Sequence, residues 1–182
     1  MPTLIENRKL GGQKLQRIVY TEELLHARVR ELGAEITRDF TVSDKLLVVG
    51  LLKGSFLFLA DLVRAIDLPL QVDFLVAASY GSGKVSSGDV QLLYDPEADL
   101  TDRAVILVED IVDSGATLGR LIPRLRERGP ASIDICALLH KRLTTLDPEP
   151  RWVGFDAPNE FLVGYGLDYA EDFRHLPYIA SL

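Results

Sequence analysis

The chain alternates apolar runs of strand length with stretches in which apolar positions recur at helical spacing. Strand-like runs lie at 46–52, 71–78, 105–108 and 133–139, with a shorter one at 89–94, and two short apolar segments follow at 152–155 and 161–166. Helical spacing marks residues 21–36, 56–66 and 118–125. This alternation predicts an α/β fold, with a mainly parallel central sheet flanked by helices. We expect one domain over residues 1–182, with a small hood formed by about 150–182 and the N-terminal arm.

Polar residues at the ends of these elements give further expectations. Thr21 and Ser55 are placed to cap the first two helices through their side chains. Pro123 interrupts the third helical pattern and predicts a kink between residues 119 and 123. Residues 1 to about 17 are mixed and polar, which predicts a loose arm.

Residues 105–118 form the stretch with the most chemistry, reading VILVEDIVDSGATL. The apolar start predicts a strand, and the acids Glu109, Asp110 and Asp113 are expected in a loop before a helix N-terminus. Amides of a small-residue turn at a helix N-terminus suit a phosphate, whereas carboxylates suit ribose hydroxyls or Mg²⁺. The pattern therefore predicts a sugar-phosphate site, and the alternative is an acidic turn with an ordinary helix cap.

Two other strands end in residues that can meet an anion at the same edge of the sheet. Lys53, Gly54 and Ser55 follow the strand at 46–52, and Lys141 follows the strand at 133–139. Residues 79–88 are rich in Gly and Ser and indicate either a hairpin tip or a lid that excludes water during a reaction. No GxxxxGK(S/T) phosphate-binding loop occurs in the sequence.

Composition narrows the classes of function. The 182 residues carry a formal net charge of −7, which argues against a nucleic-acid partner, because such partners are bound largely through Lys and Arg. Residues 1–16 are too polar for a signal-peptide core, and no apolar run is long enough to span a membrane. A single cysteine, Cys136, lies in an apolar run and favours a reducing, cytoplasmic location.

The stretch 105–118 resembles the signature by which type I phosphoribosyltransferases bind phosphoribosyl pyrophosphate. Three further strings narrow the resemblance to bacterial hypoxanthine-guanine phosphoribosyltransferases: LKGS at 52–55, SYG at 79–81, and VGF at 153–155 with FLVGYGLDY at 161–169. The similarity covers about residues 20–180. It implies an Mg²⁺-dependent enzyme of purine salvage that joins a 6-oxopurine to phosphoribosyl pyrophosphate, releasing pyrophosphate. Members of this family form homodimers or homotetramers.

The resemblance also implies roles for individual residues on the sugar-phosphate side. Asp113 matches the general base that handles the proton on purine N7, and Glu109 with Asp110 matches the ribose ligands. The 5′-phosphate would be bound by Asp113, Ser114, Gly115, Ala116, Thr117 and Leu118. The pyrophosphate would be bound by Lys53, Gly54 and Arg174, with a cis peptide expected at Leu52–Lys53.

On the purine side, Lys141 matches the donor to the 6-oxygen and Phe161 the ring that stacks on the base. The backbone of Leu162 would read the purine edge, and Asp168 would face the purine site and bind a second Mg²⁺. The magnesium ligands implied are Glu109, Asp110 and Asp168, and Ser79 and Tyr80 would belong to the lid.

Two other functions stay open on the sequence alone. A regulator with the same fold would sense nucleotides or bind RNA without catalysis, but its basic face conflicts with the acidic composition. A phosphoribosyltransferase for another base is the second alternative. Lys141 and Phe161 favour a 6-oxopurine over adenine, and xanthine remains possible.

Overall fold

The structure, a computed structural model, describes residues 14–79, 90–143 and 146–182. Its main sheet has six strands in the order β4-β3-β2-β5-β6-β7. These are β2 (Leu47–Leu52), β3 (Gln71–Ser79), β4 (Val90–Tyr94), β5 (Ala104–Val112), β6 (Ser132–His140) and β7 (Trp152–Asp156). Only β4 runs antiparallel to its neighbour, so the prediction of a mainly parallel sheet is confirmed.

Helices cover both faces of this sheet, because each buries an apolar stripe against it. The helices α1 (Glu22–Asp39) and α2 (Phe56–Ala65) share one apolar cluster with the β2 and β5 side chains Val48 and Ile106. The helix α3 (Ala116–Arg126) packs on the other face, in a cluster that contains Val49 and Leu107. A short 3₁₀ helix, Val42–Asp44, precedes β2.

The predicted helix caps have different outcomes. Thr21 caps α1 as expected, since its hydroxyl accepts a hydrogen bond from the Leu24 amide at 3.4 Å. Ser55 occupies the predicted N-cap position of α2, but its side chain does not cap the helix: the buried hydroxyl donates to the Leu51 carbonyl at 2.6 Å. The helix α3 continues through Pro123, and the kink there stays a prediction.

A second, three-stranded sheet joins the two ends of the described chain. It has the order β1-β9-β8, with β1 (Arg17–Tyr20), β8 (Leu162–Val163) and β9 (Ile179–Ser181), all antiparallel. Leu15, just before β1, is fully buried in an apolar cluster with Val163 and Phe173. The expectation of a loose arm is therefore wrong for residues 15–17, because pairing with β9 and burial of Leu15 fix them. Residues 1–13 lie outside the described part of the chain.

The strand order places a crevice at one edge of the main sheet. The chain passes from β2 outward to β3 in one direction and later resumes at β5 on the other side of β2. At such a switch point the loops that follow the two central strands diverge and leave room for a ligand. The loops after β2 and β5 thus define the expected site. Among the described residues, no helix has the length and apolar content needed to cross a bilayer.

Candidate active site

Glu109 and Asp110 belong to strand β5 and do not lie in a loop, which corrects the sequence-based expectation. The parallel pairing with β6 continues through Glu109, opposite Ala137, to Val112, opposite His140, so it holds both acids in extended backbone. Burial, followed by the neighbouring Asp110 carboxylate, raises the pKa of Glu109 well above its ordinary value. Burial also raises the pKa of Asp110. The Oε2 atom of Glu109 is buried without a hydrogen-bond partner in the described structure, as expected of a group that awaits a ligand.

The turn from Asp113 to Gly115 leads directly into α3. Gly115 occupies the N-cap position with φ +70°, a left-handed conformation that costs glycine little. Among the described residues no side chain caps this helix from the N-cap position, and the Ala116 amide contacts the Ser114 hydroxyl at 3.4 Å. A cavity of about 90 Å³ lies here, lined by Glu109 and residues 111–118. Because the first amides of a helix lack intrahelical acceptors, this cavity suits a phosphate group.

Lys141 lies beside Asp113 at the carboxyl edge of the sheet. The Lys141 Nζ atom donates to Asp113 Oδ2 at 3.0 Å, and the two side chains are 14% and 54% exposed. Lys141 directly follows β6, the neighbour of β5, and its amide bonds the Val112 carbonyl at 3.0 Å. Backbone pairing thus fixes the main chain from which the Lys141 side chain extends, whereas the half-exposed Asp113 carboxylate remains open to a ligand.

The loop after β2 brings Lys53 and Gly54 against the acids of β5. The Leu52–Lys53 peptide bond is cis. Gly54 lies so close to Asp110 that an added Cβ atom would be 1.7 Å from Asp110 Oδ2. The expected pyrophosphate loop and the expected ribose ligand are therefore in direct contact.

Arg174 faces this loop from the segment after β8. Its guanidinium lies 2.8 Å from Asp168 Oδ1 and donates to the Gly166 carbonyl at 2.8 Å. Lys53 Nζ lies 3.2 Å from both carboxylate oxygens of Glu171, and Arg174 lies 3.4 Å from one of them. The hydrogen bond from Lys53 lowers the pKa of Glu171. One carboxylate therefore bridges the two cations expected to bind pyrophosphate.

Phe161, directly before β8, presents an exposed ring. It is 54% exposed and meets Tyr169 edge to face, with ring centroids 5.5 Å apart. An exposed aromatic face of this kind is available for stacking. The neighbouring Leu162 side chain is buried in β8, so only its backbone can face a ligand.

Some expected site residues lie at or beyond the limits of the described structure. Ser79 is the last residue of β3, and Tyr80 falls in the undescribed range 80–89 together with most of the expected lid. The described residues contain no group of three or more His, Cys, Asp or Glu side chains that could hold a metal ion by themselves.

Glu171 and Tyr169 were missed by sequence reasoning. Tyr169 lies in the FLVGYGLDY string, but its contact with Phe161 spans a turn that no spacing rule predicts. Glu171 reaches Lys53 across 118 positions of sequence, so no local pattern could have signalled it.

The chain is similar to known proteins in both sequence and structure. Residues 18–170 match the family model described as the phosphoribosyl transferase domain. The chain is 44% identical over 174 residues to a hypoxanthine phosphoribosyltransferase of Buchnera aphidicola, covering 91% of this chain and 95% of that protein. It is also 44% identical over 174 residues to a hypoxanthine-guanine phosphoribosyltransferase of Mycobacterium tuberculosis, covering 92% and 86%. A crystal structure of a hypoxanthine phosphoribosyltransferase from Staphylococcus aureus superposes with a TM-score of 0.89 at 39% identity, covering 97% and 96%.

Proposed function

Because the chain belongs to the phosphoribosyl transferase domain family, we propose that it transfers the phosphoribosyl group of phosphoribosyl pyrophosphate to hypoxanthine or guanine in purine salvage. The products would be the purine nucleoside monophosphate and pyrophosphate. Residues at the carboxyl edge of the main sheet would bind each part of the two substrates.

The contact between Lys141 and Asp113 is the observation that carries this proposal. A 6-oxopurine presents its 6-oxygen and N7 next to each other on one edge of the base. A donor to the oxygen and a base for N7 must therefore lie side by side, as Lys141 Nζ and Asp113 Oδ2 do at 3.0 Å. In the proposed reaction Lys141 donates to the 6-oxygen and Asp113 accepts the proton at N7 as N9 forms its new bond. Phe161 stacks on the ring, and the Leu162 backbone and Asp168 border the purine.

The sugar and its phosphates would occupy the crevice between β2 and β5. Glu109 and Asp110 accept the ribose hydroxyls, and the amides of the turn and first helical turn bind the 5′-phosphate. Lys53, Gly54 and Arg174 receive the pyrophosphate, whose leaving charge the two cations stabilise. To do so, both cations exchange their Glu171 partner for the substrate. The 5′-phosphate ligands are Asp113, Ser114, Gly115, Ala116, Thr117 and Leu118.

A magnesium requirement fits the residues present. Mg²⁺ binds through one or two protein carboxylates together with substrate oxygens and water, so it does not need a complete protein cage. Glu109, Asp110 and Asp168 border the proposed pyrophosphate and ribose positions. Glu109 Oε2, which has no hydrogen-bond partner within the described part of the chain, is a suitable oxygen ligand. When bound, the ion would neutralise charge on the departing pyrophosphate.

The Asp113→Asn variant tests the assignment of the base. We expect it to bind both substrates and to lose about 10²- to 10⁴-fold in kcat, because an amide cannot accept the proton. Steady-state assays should compare hypoxanthine, guanine, xanthine and adenine with the wild-type protein. Turnover of Asp113→Asn at the wild-type rate would reject the role of Asp113, and no turnover of any base by the wild type would reject the proposed function.

The proposal also includes the domain organisation and the oligomeric state of the protein. We treat residues 1–182 as one domain, with β1, β8 and β9 in the hood and residues 79–92, including Ser79 and Tyr80, in the lid. The protein surface exposes the apolar side chains of Phe56, Val72 and Phe74, each 39–42% exposed, which supports a homodimer or homotetramer. Sedimentation of the wild type and of Phe74→Glu tests the role of this surface.

A single, fully buried Cys136 supports a reducing, cytoplasmic location, which fractionation of the source cells would test.

A further inference from the structure

The turn at residues 164–168 contacts both Arg174 and the Lys53–Gly54 loop, the two parts of the proposed pyrophosphate site. Gly166 packs directly on the Lys53–Gly54 loop, where an added Cβ atom would lie 2.0 Å from the Gly54 carbonyl oxygen. The same glycine exchanges two hydrogen bonds with Arg174, from Gly166 N at 3.0 Å and to Gly166 O at 2.8 Å. Asp168 ends the turn. A shift of this turn would therefore move Arg174 and Asp168 relative to Lys53.

Tyr165 anchors this turn to helix α2. Its hydroxyl donates to Asp61 Oδ2 at 2.6 Å, and the residue is 3% exposed. Asp61 lies in α2, the helix that begins at Phe56 just after the Lys53–Gly54 loop. The hydrogen bond thus joins the turn that carries Asp168 to the helix that carries the loop with Lys53, across 104 positions of sequence.

The chemistry of this contact makes it strong and directional. Hydrogen bonds from a hydroxyl to a carboxylate are short and about twice as strong as neutral ones. Burial, followed by the hydrogen bond to Asp61, raises the pKa of Tyr165, so the phenol keeps its proton and remains the donor. Arg64 pairs with the same carboxylate, and His26 Nε2 lies 3.8 Å from it.

The backbone at Tyr165 indicates that its position is imposed by this environment. Tyr165 has φ +49°, a left-handed conformation that is unfavourable for a bulky residue and persists only where the surroundings determine it. Its amide bonds the Leu176 carbonyl at 2.8 Å, and its side chain lies in the main apolar cluster. The apolar part of the Tyr165 side chain is thus held by packing, and its hydroxyl is held by Asp61.

We propose that the Tyr165–Asp61 hydrogen bond is a positioning device that holds the 164–168 turn at the distance from Lys53 and Gly54 that pyrophosphate binding requires. Neither residue touches the substrates. Both act through Gly166, Arg174 and Asp168, and the inference rests on the pyrophosphate role proposed above for Lys53 and Arg174.

The Tyr165→Phe variant removes the hydroxyl and keeps the ring. We expect the KM for phosphoribosyl pyrophosphate and the Kd for pyrophosphate to rise about fivefold, because a loosened turn binds the pyrophosphate group less well. The KM for hypoxanthine and the kcat at saturating phosphoribosyl pyrophosphate should stay within about twofold of wild type. A change in the phosphoribosyl pyrophosphate KM without a change in the hypoxanthine KM or kcat distinguishes a positioning role from a general loss of stability. Unfolding midpoints would measure any loss of stability independently.

A double-mutant cycle with Asp61→Ala measures whether the two residues act together. We expect the double variant to resemble the weaker single variant in pyrophosphate affinity, since both remove one interaction. Asp61→Asn retains an oxygen acceptor and should restore part of the affinity lost in Asp61→Ala. The matched control is Tyr178→Phe, which removes a buried hydroxyl that has no hydrogen-bond partner in the described structure.

Lys53→Met distinguishes failure of the inference from failure of the site on which it rests. If Lys53→Met weakens pyrophosphate binding but Tyr165→Phe does not, the positioning role is wrong and the site stands. If neither variant changes pyrophosphate affinity, the pyrophosphate site is misassigned and the inference falls with it. Equal increases in both KM values for Tyr165→Phe, or a lower unfolding midpoint alone, would also overturn it.

Discussion

Replacing Gly54 by alanine tests the contact between the pyrophosphate loop and the ribose acids. The new Cβ atom would lie 1.7 Å from Asp110 Oδ2 and 2.5 Å from its Cγ, whereas ordinary contact begins at 3.4 Å. The backbone of Gly54 does not adopt the left-handed conformation, so the substitution itself adds no such strain. Relief of this contact therefore requires Gly54 and the Asp110 carboxylate to move apart by about 1.7 Å, the difference between 3.4 Å and 1.7 Å.

The structure gives the size of the effect. Asp110 Oδ1 accepts a hydrogen bond from the Ile111 amide at 2.9 Å, and displacement of the carboxylate would strain or break it. Losing such a partner in a buried setting costs about 1–3 kcal/mol of stability. Misplacement of a substrate ligand by about 1 Å can lower the rate about 10²-fold. We expect kcat/KM for phosphoribosyl pyrophosphate to fall about 10- to 100-fold in Gly54→Ala.

Initial rates at varied phosphoribosyl pyrophosphate, with thermal unfolding measured alongside, provide the assay. Gly119→Ala is the matched control, because Gly119 lies within α3 and an added Cβ atom there meets no heavy atom within 4 Å. That control should keep full activity and gain about 0.5–1 kcal/mol of stability. A folded Gly54→Ala variant with kcat/KM within twofold of wild type would refute the contact as a determinant of substrate binding.

Three further predictions concern other groups. Glu171→Gln should bind pyrophosphate about two- to fivefold more tightly, because it weakens a competitor for Lys53 and Arg174, and weaker binding in a pyrophosphate titration would contradict this. Cys136 is fully buried and burial raises its pKa, so a thiol reagent should label it only as fast as the protein unfolds; rapid labelling in native buffer would contradict this. Since the folded pKa of Glu109 is raised, the stability it contributes without ligands is present below its unfolded pKa and lost as pH rises. Denaturant titrations should therefore show the stability advantage of Glu109→Gln over the wild type growing as the pH rises above about 4.5.

The main sheet was predictable because its central strands obey a strong constraint. A parallel strand covered by helices on both faces must be apolar along its length, and β2 with the first part of β5 shows this run directly. The end of β5 was not predictable in the same way, since Glu109 and Asp110 are acids within the strand. Both acids have low strand propensity, so a rule based on propensity assigns them to a loop. Pairing of β5 with β6 keeps their backbone extended in spite of that low propensity.

The three-stranded sheet could not be predicted from periodicity. Its strands have two to four residues, too few to show alternation, and its pairing joins Arg17 to Ser181 across nearly the whole chain. The burial of Leu15 is likewise a consequence of that pairing. Short elements that depend on partners far away in sequence carry little local signal, so an apolar residue in a polar segment was read as part of a loose arm.

In the candidate site, too, residues at strand ends were predictable from the sequence, whereas contacts between distant parts of the chain were not. Sequence reasoning placed Lys53, Asp113 and Lys141 at one edge because parallel strands end together, and the structure brings Lys141 and Asp113 into contact. It could not place Glu171 or Asp61, whose partners lie 118 and 104 positions away. Both unforeseen contacts tie the segment after β8 to the loop after β2 or to α2. The motif at 105–118 therefore defines the sugar-phosphate half of the site, whereas the geometry of the pyrophosphate half depends on how the C-terminal segment packs on α2.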